Sequence, residues 1–261
     1  MTDVLTPLPA ATVMLLRDGS DGLEVFMLER NPDSGFVPGA FLFPGGAVDL
    51  DDADPGLAAR CRGRDDASTS ALLGLPEGGL AHWVAALREA FEEAGVLLAD
   101  PPLDPDRRAV RRRQVDGGQV PFSEVCEDED LVLATDQVWA FSHWVTPVGQ
   151  PRRYDTRFFV AAEPADQEPS ADLSETVAHL WIQPDDALRR NAAGGFPLIE
   201  PTLQSLRTLA GFERADDVLL AARRAEERAH ERGPRWIGPD GGRRIPLPGD
   251  ATADDLDEVT S

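Results

Sequence analysis

Three glutamates, Glu89, Glu92 and Glu93, stand at i, i+3 and i+4 in a segment whose apolar residues keep helical spacing. On a helix over Ala81–Ala94, stopped by Gly95, Val84, Leu87, Phe91 and Ala94 fall on one side and Leu98 continues the stripe. The three carboxylates fall opposite. Neighbouring like charges repel, so a chain that keeps them on one helix face needs either a fully solvated surface or a cation between them. A hard divalent ion such as Mg²⁺ or Mn²⁺ takes oxygen ligands and turns that repulsion into coordination.

The rest of the chain narrows the alternatives. All 25 cationic side chains are Arg, against 47 Asp and Glu, for a net charge of −22. So acidic a surface is unsuited to nucleic-acid backbone and to anionic membranes. An anionic substrate must therefore be met through bound cations or locally placed arginines. No apolar run is long enough to cross a bilayer, and residues 1–10 lack the features of a secretory signal. With only Cys61 and Cys126, a disulfide scaffold or a Cys-based zinc site is excluded, and a reducing, cytoplasmic setting is expected. No H-E-x-x-H, G-x-S-x-G or phosphate-binding P-loop is present.

Element by element, Ala11–Leu16 and Leu23–Leu28 read as a β-hairpin, followed by a Gly/Pro-punctuated stretch ending in Phe43-Pro44-Gly45-Gly46. Residues 48–79 read as an irregular acidic insertion with at most one short helix near Leu57–Arg60. Helices are expected at Asp106–Gln114 and Phe122–Leu133, and strands at Val138–Val145, Thr156–Ala162 and Thr176–Ile182. Helices at Pro184–Asn191, Leu198–Ala210 and Ala215–Arg232 complete the order, with a disordered acidic tail from 249. The run Arg111-Arg112-Arg113 reads as a solvated helix face.

Here the sequence resembles the Nudix hydrolases, whose box runs G-x5-E-x7-R-E-U-x-E-E-x-G-U, U being a bulky aliphatic residue. Arg88, Glu89, Glu92, Glu93, Gly95 and Val96 match its second half in register, and Gly46 matches its first glycine. In the box that glycine precedes the arginine by 14 residues; here the separation is 42, leaving an insertion of 28. The first glutamate of the box falls on Asp52 counted from Gly46, and on Leu80 counted back from Arg88. Its role stays open, with Asp52 a candidate.

An insertion at this point is similar to the branch that includes peroxisomal coenzyme A diphosphatases. That branch's upstream signature matches at Leu28, Arg30, Gly39 and Phe43–Gly46, and departs at Glu29, Asn31 and Gly35. The segments Ser142–Pro147 and Arg152–Phe159 resemble that branch too.

The resemblance implies an α+β fold, the Nudix α/β/α sandwich with a mixed sheet. The domain would span 8–212 with its insertion at about 48–80, followed by a helical extension over 213–248 and the tail 249–261. It implies hydrolysis of a nucleoside diphosphate linked to another moiety, with coenzyme A or an acyl-CoA favoured over ADP-ribose, NADH or a nucleotide sugar. A catalytically silent binding module is the alternative of a different class. Glu89, Glu92, Glu93 and the Gly46 carbonyl would hold Mg²⁺ or Mn²⁺, and Arg88 would orient the glutamates. The general base is open among Glu93, Glu89 and Glu175. Arg30, Phe41, Arg153 and Arg157 are the candidate substrate contacts. The expected partner is a small-molecule nucleotide-diphosphate substrate, with no nucleic acid, no membrane, and homodimerisation left open.

Overall fold

The computed structural model describes residues 5–33, 38–171 and 176–232, with backbone strands at Trp236–Ile237 and Arg243–Arg244. The tail from 249, Gly35, Phe36 and Glu175 lie outside the described residues.

The hairpin forms as expected but longer: β1 is Leu8–Gly19 and β2 is Gly22–Arg30. Short strands β3 (Phe41–Leu42) and β4 (Gly45–Ala47) follow. A 3₁₀ turn at Asp51–Ala53 then leads to α1 (Pro55–Arg60), α2 (Asp66–Leu73) and α3 (Gly79–Ala94). Next come β5 (Ala99–Asp100), α4 (Pro105–Asp116), α5 (Phe122–Asp128) and β6 (Val132–Leu133). The second half holds β7 (Val138–Val145), β8 (Tyr154–Ala162), β9 (Thr176–Ile182), α6 (Pro184–Ala192), α7 (Glu200–Leu209) and α8 (Ala215–Arg232).

The main sheet runs β3-β2-β1-β8-β7, with β4 also on β1 and β9 also on β2. It is mixed: β1 and β8 are parallel, the other pairs antiparallel. The edge of β1 is shared, Leu16–Gly19 pairing with β2 and Ala10–Thr12 with β4. That division brings the Gly45-Gly46 pair into the middle of the molecule.

Side chains alternate across the strands, so each face has its own core. Ala11, Val13, Leu15 and Phe159 pack with α3 on one side. Met14, Leu16, Phe141 and Val160 pack with Leu206 of α7 and Val218 and Ala222 of α8 on the other. The result is the expected α/β/α sandwich, and α8 shares a core with the sheet.

Two expectations are corrected. The segment 48–79 is an ordered, partly helical element, because Leu57, Leu72 and Leu73 find burial against α3. Asp54 and Asp65 cap its helices, accepting from Gly56 and Leu57 and from Ser68. Its Arg64 pairs with Glu226 of α8 at 2.9 Å, both nearly buried, and lies over the Trp83 and Trp139 rings. The helix expected over Phe122–Leu133 ends at Asp128, and Val132–Leu133 pairs with Ala99–Asp100 instead. A short amphipathic run could not reveal that partner strand.

Candidate active site

The site is built where β4 meets the last two turns of α3. Gly45 and Gly46 oppose Thr12 and Ala11 of β1. A Cβ at Gly46 would overlap Glu89 Oε1, so only glycine lets the carboxylate close over this strand. The Gly45 N–H donates to Glu93 Oε2 at 2.9 Å.

Arg88 is the organising cation. Its Nε and Nη2 donate to Asp52 Oδ1 and Oδ2, each at 2.9 Å, and Nη2 also reaches the Ala47 carbonyl at 2.8 Å. Its Nη1 donates to Glu89 Oε1 at 2.7 Å and to Glu92 Oε2 at 3.1 Å. Asp52 sits in the 3₁₀ turn, held by the Asp49 N–H at 2.7 Å. The two-point Asp52–Arg88 match fixes the plane of the guanidinium, and through it the two glutamates. Of the two positions counted for the box's first acid, Asp52 is the one that stands at Arg88. Leu80, the other count, is buried in the core.

The face opposite the apolar stripe is not solvated, which corrects the simplest helical reading. Arg88, Glu89 and Glu93 are all buried, because β4 and the Asp51–Ala53 turn cover them. Burial outweighs the Arg88 charge and pushes Glu89 up to about 7; it also raises Glu92 and Asp52. Burial opposes the charge on Arg88, but Asp52, Glu89 and Glu92 together hold its pKa above the ordinary arginine value.

The donor set, carboxylate and carbonyl oxygens only, fits a hard divalent cation, and one arginine does not balance the carboxylates around it. Among the described residues, no three Asp, Glu, His or Cys side chains stand as a finished metal cage. Glu89 and Glu92 each give one carboxylate oxygen to Arg88, through Oε1 and Oε2 respectively.

The other candidates are placed as follows. Phe41 stacks on Phe196, ring centroids 3.7 Å apart, in the second core. Arg30 ends β2, half-buried. Arg153 donates to the Thr146 carbonyl at 2.9 Å and the Leu5 carbonyl at 2.6 Å. Arg157 shares a sheet row with Gly46 through Ala11, two strands or about 10 Å away. It is buried, donates to the Leu73 carbonyl at 3.1 Å and faces Asp155 at 3.4 Å. Near it, burial foremost and then Arg157 depress the His82 pKa to about 4.

This strand, insertion and carboxylate helix on a three-layer sandwich define a Nudix domain. Comparison with known families narrows the class: the chain belongs to the family described as the NUDT19 Nudix domain, whose model matches residues 63–209. Members of the superfamily use divalent metal cations.

Among its relatives is the acyl-coenzyme A diphosphatase NUDT19 of Homo sapiens, 31% identical, aligned over 76% of this chain and 64% of that protein. The Gallus gallus protein of the same name is 30% identical over 82% of this chain and 67% of its own length. The chain therefore spans about two thirds or less of these relatives. A Nudix hydrolase crystal structure from Alicyclobacillus acidocaldarius superposes with a TM-score of 0.68 at 31% identity, covering 82% of this chain and 96% of the other.

Proposed function

We propose that the protein is a metal-dependent hydrolase that cleaves the diphosphate linkage of coenzyme A or an acyl-CoA. One observation carries the chemistry: buried carboxylates crowd around the single guanidinium of Arg88, with Glu89 pushed up to about 7. A site so short of positive charge suits Mg²⁺ or Mn²⁺ held by Glu89, Glu92, Glu93 and the Gly46 carbonyl. A bound cation neutralises the diphosphate and acidifies the attacking water. Arg88 orients the glutamates, and Asp52 fixes Arg88. A carboxylate, from Glu93, Glu89 or Glu175, takes the proton as water oxygen bonds to one phosphorus and the other phosphate departs with the bridging oxygen.

The substrate choice is supported by the names of the relatives and by the signature residues from Leu28 to Gly46. The reading includes a reducing, cytoplasmic setting, in keeping with two cysteines, Cys61 and Cys126, that are both free.

The test is a panel of CoA, acetyl-CoA, ADP-ribose, NADH and UDP-glucose with Mg²⁺ or Mn²⁺, products identified by mass. The expected products from CoA are adenosine 3′,5′-bisphosphate and 4′-phosphopantetheine. A kcat/KM for ADP-ribose or NADH tenfold above CoA, about 1.4 kcal/mol in transition-state binding, would remove the CoA assignment. Silence across the panel would favour a binding module.

A further inference from the structure

Of the arginine run at 111–113, Arg113 is exposed as its sequence suggests, but Arg111 and Arg112 are half-buried and partnered. Arg112, on α4, donates from Nε to the Glu92 carbonyl at 2.9 Å and from Nη2 to the Glu93 carbonyl at 2.8 Å. The same guanidinium reaches Ser170 Oγ at 3.0 Å and the Ser170 carbonyl at 2.9 Å. It thus holds the backbone of two of the three candidate metal-ligand glutamates and ties it to the segment before β9.

That segment is also anchored to the end of α3 and to the residues that follow it. Ser170 N–H donates to the Ala94 carbonyl at 2.9 Å, and the buried Gln167 amide accepts from and donates to the Leu97 backbone at 2.8 and 2.9 Å. The box glycine is part of the same fit. Gly95 has φ +69°, and a Cβ there would lie 2.7 Å from Arg112 Nη1.

Electrostatics explains why an arginine is needed here. The three glutamates occupy the C-terminal half of α3, the negative end of the helix dipole, where extra acid is unfavourable. The last turn of α3 has no basic residue of its own. A cation on α4 supplies what this helix lacks, and satisfies carbonyls that the helix end leaves without partners.

We infer that Arg112 is a positioning residue for the metal-binding end of α3, holding Glu92 and Glu93 in register with Gly46. This rests on the proposed metal-dependent function. Arg112 acts through the helix backbone and not by contact with substrate.

The experiment compares the full chain with Arg112→Met, Arg112→Lys and Arg111→Met. Arg111 is the control, because it pairs with Asp128 at the end of α5 and with Glu129 just after it. Mn²⁺ affinity is measured by titration with detection of free Mn²⁺ by electron paramagnetic resonance, beside kcat and KM for acetyl-CoA and thermal unfolding. For Arg112→Met we expect about tenfold weaker Mn²⁺ binding and at least a tenfold loss of kcat, with KM within twofold. Arg112→Lys should recover part of both, since an ammonium can still reach a carbonyl, and it carries the test if the Met variant does not fold. Arg111→Met should match the wild type.

Mn²⁺ affinity and kcat within twofold of wild type in Arg112→Met would overturn this inference and leave the proposed function standing. Equal losses in Arg111→Met would overturn it too, as a general weakening of α4. A wild-type chain that neither binds Mn²⁺ nor cleaves any substrate would overturn the proposed function, and this inference with it.

Discussion

Replacing Asp52 by Ala tests whether the insertion completes the site. The side chain is fully buried and receives two donors from Arg88 at 2.9 Å each and the Asp49 N–H at 2.7 Å. Removing one partner of a buried ion pair costs about 3–5 kcal/mol. Here Arg88 keeps Glu89, Glu92 and the Ala47 carbonyl, so its charge is not left uncompensated. Burial also raises the Asp52 pKa, and that desolvation is relieved on removal. The lower end, about 3 kcal/mol, is therefore expected. At about 2–4 °C per kcal/mol for a chain of this size, the midpoint should fall by roughly 6–12 °C.

Asp52→Asn keeps one acceptor for Arg88 and should lie between the two. Urea denaturation and calorimetry in EDTA give the stability, and kcat with Mn²⁺ reports whether a freed Arg88 misplaces Glu89. A loss below about 1 kcal/mol with kcat unchanged would show that Asp52 is a passive neighbour of Arg88.

Glu93→Gln should lose several orders of magnitude in turnover while still accepting from Gly45 N–H, and retained activity that also survives EDTA would end the metal assignment. If Glu175 is the base, Glu175→Gln should lower kcat by roughly 10²–10⁴-fold, and activity within twofold of wild type would remove it from the mechanism. His82 folds neutral with its pKa near 4, so its contribution is present above the unfolded value of 6.5 and is lost as pH falls toward 4. The shift corresponds to about 3 kcal/mol, so denaturation curves of wild type and His82→Gln should diverge in slope between those pH values, and parallel curves would refute it. Glu226→Ala should cost about 3–5 kcal/mol by leaving Arg64 buried without its carboxylate, and pairing it with Arg64→Met should recover part of that in a double-mutant cycle; additive losses would deny the coupling.

Local pattern determined much of this protein. Helical spacing and Gly95 placed the carboxylate helix; apolar, β-branched runs and the turn residues between them gave the hairpin and the strands β7, β8 and β9; and the match at Gly46 and Arg88–Val96 gave the family. These signals are contained in residues a few positions apart, where periodicity and turn chemistry act. Tertiary structure decided what depends on residues far apart in the chain. Whether Asp52 or Leu80 completed the box could not be settled by counting across an insertion, and only the fold brings Asp52 to Arg88, 36 residues away. The carboxylate face looked solvent-exposed because a helical wheel cannot show that β4 and the Asp51–Ala53 turn lie over it. Likewise, Arg112 read as one of three surface arginines until α4 packed on α3 and aimed it at the Glu92 and Glu93 carbonyls. A charged side chain's role is set by what burial places opposite it, and for Arg112, Asp52 and Arg64 the deciding partners lie 20, 36 and 162 residues away, at Glu92, Arg88 and Glu226.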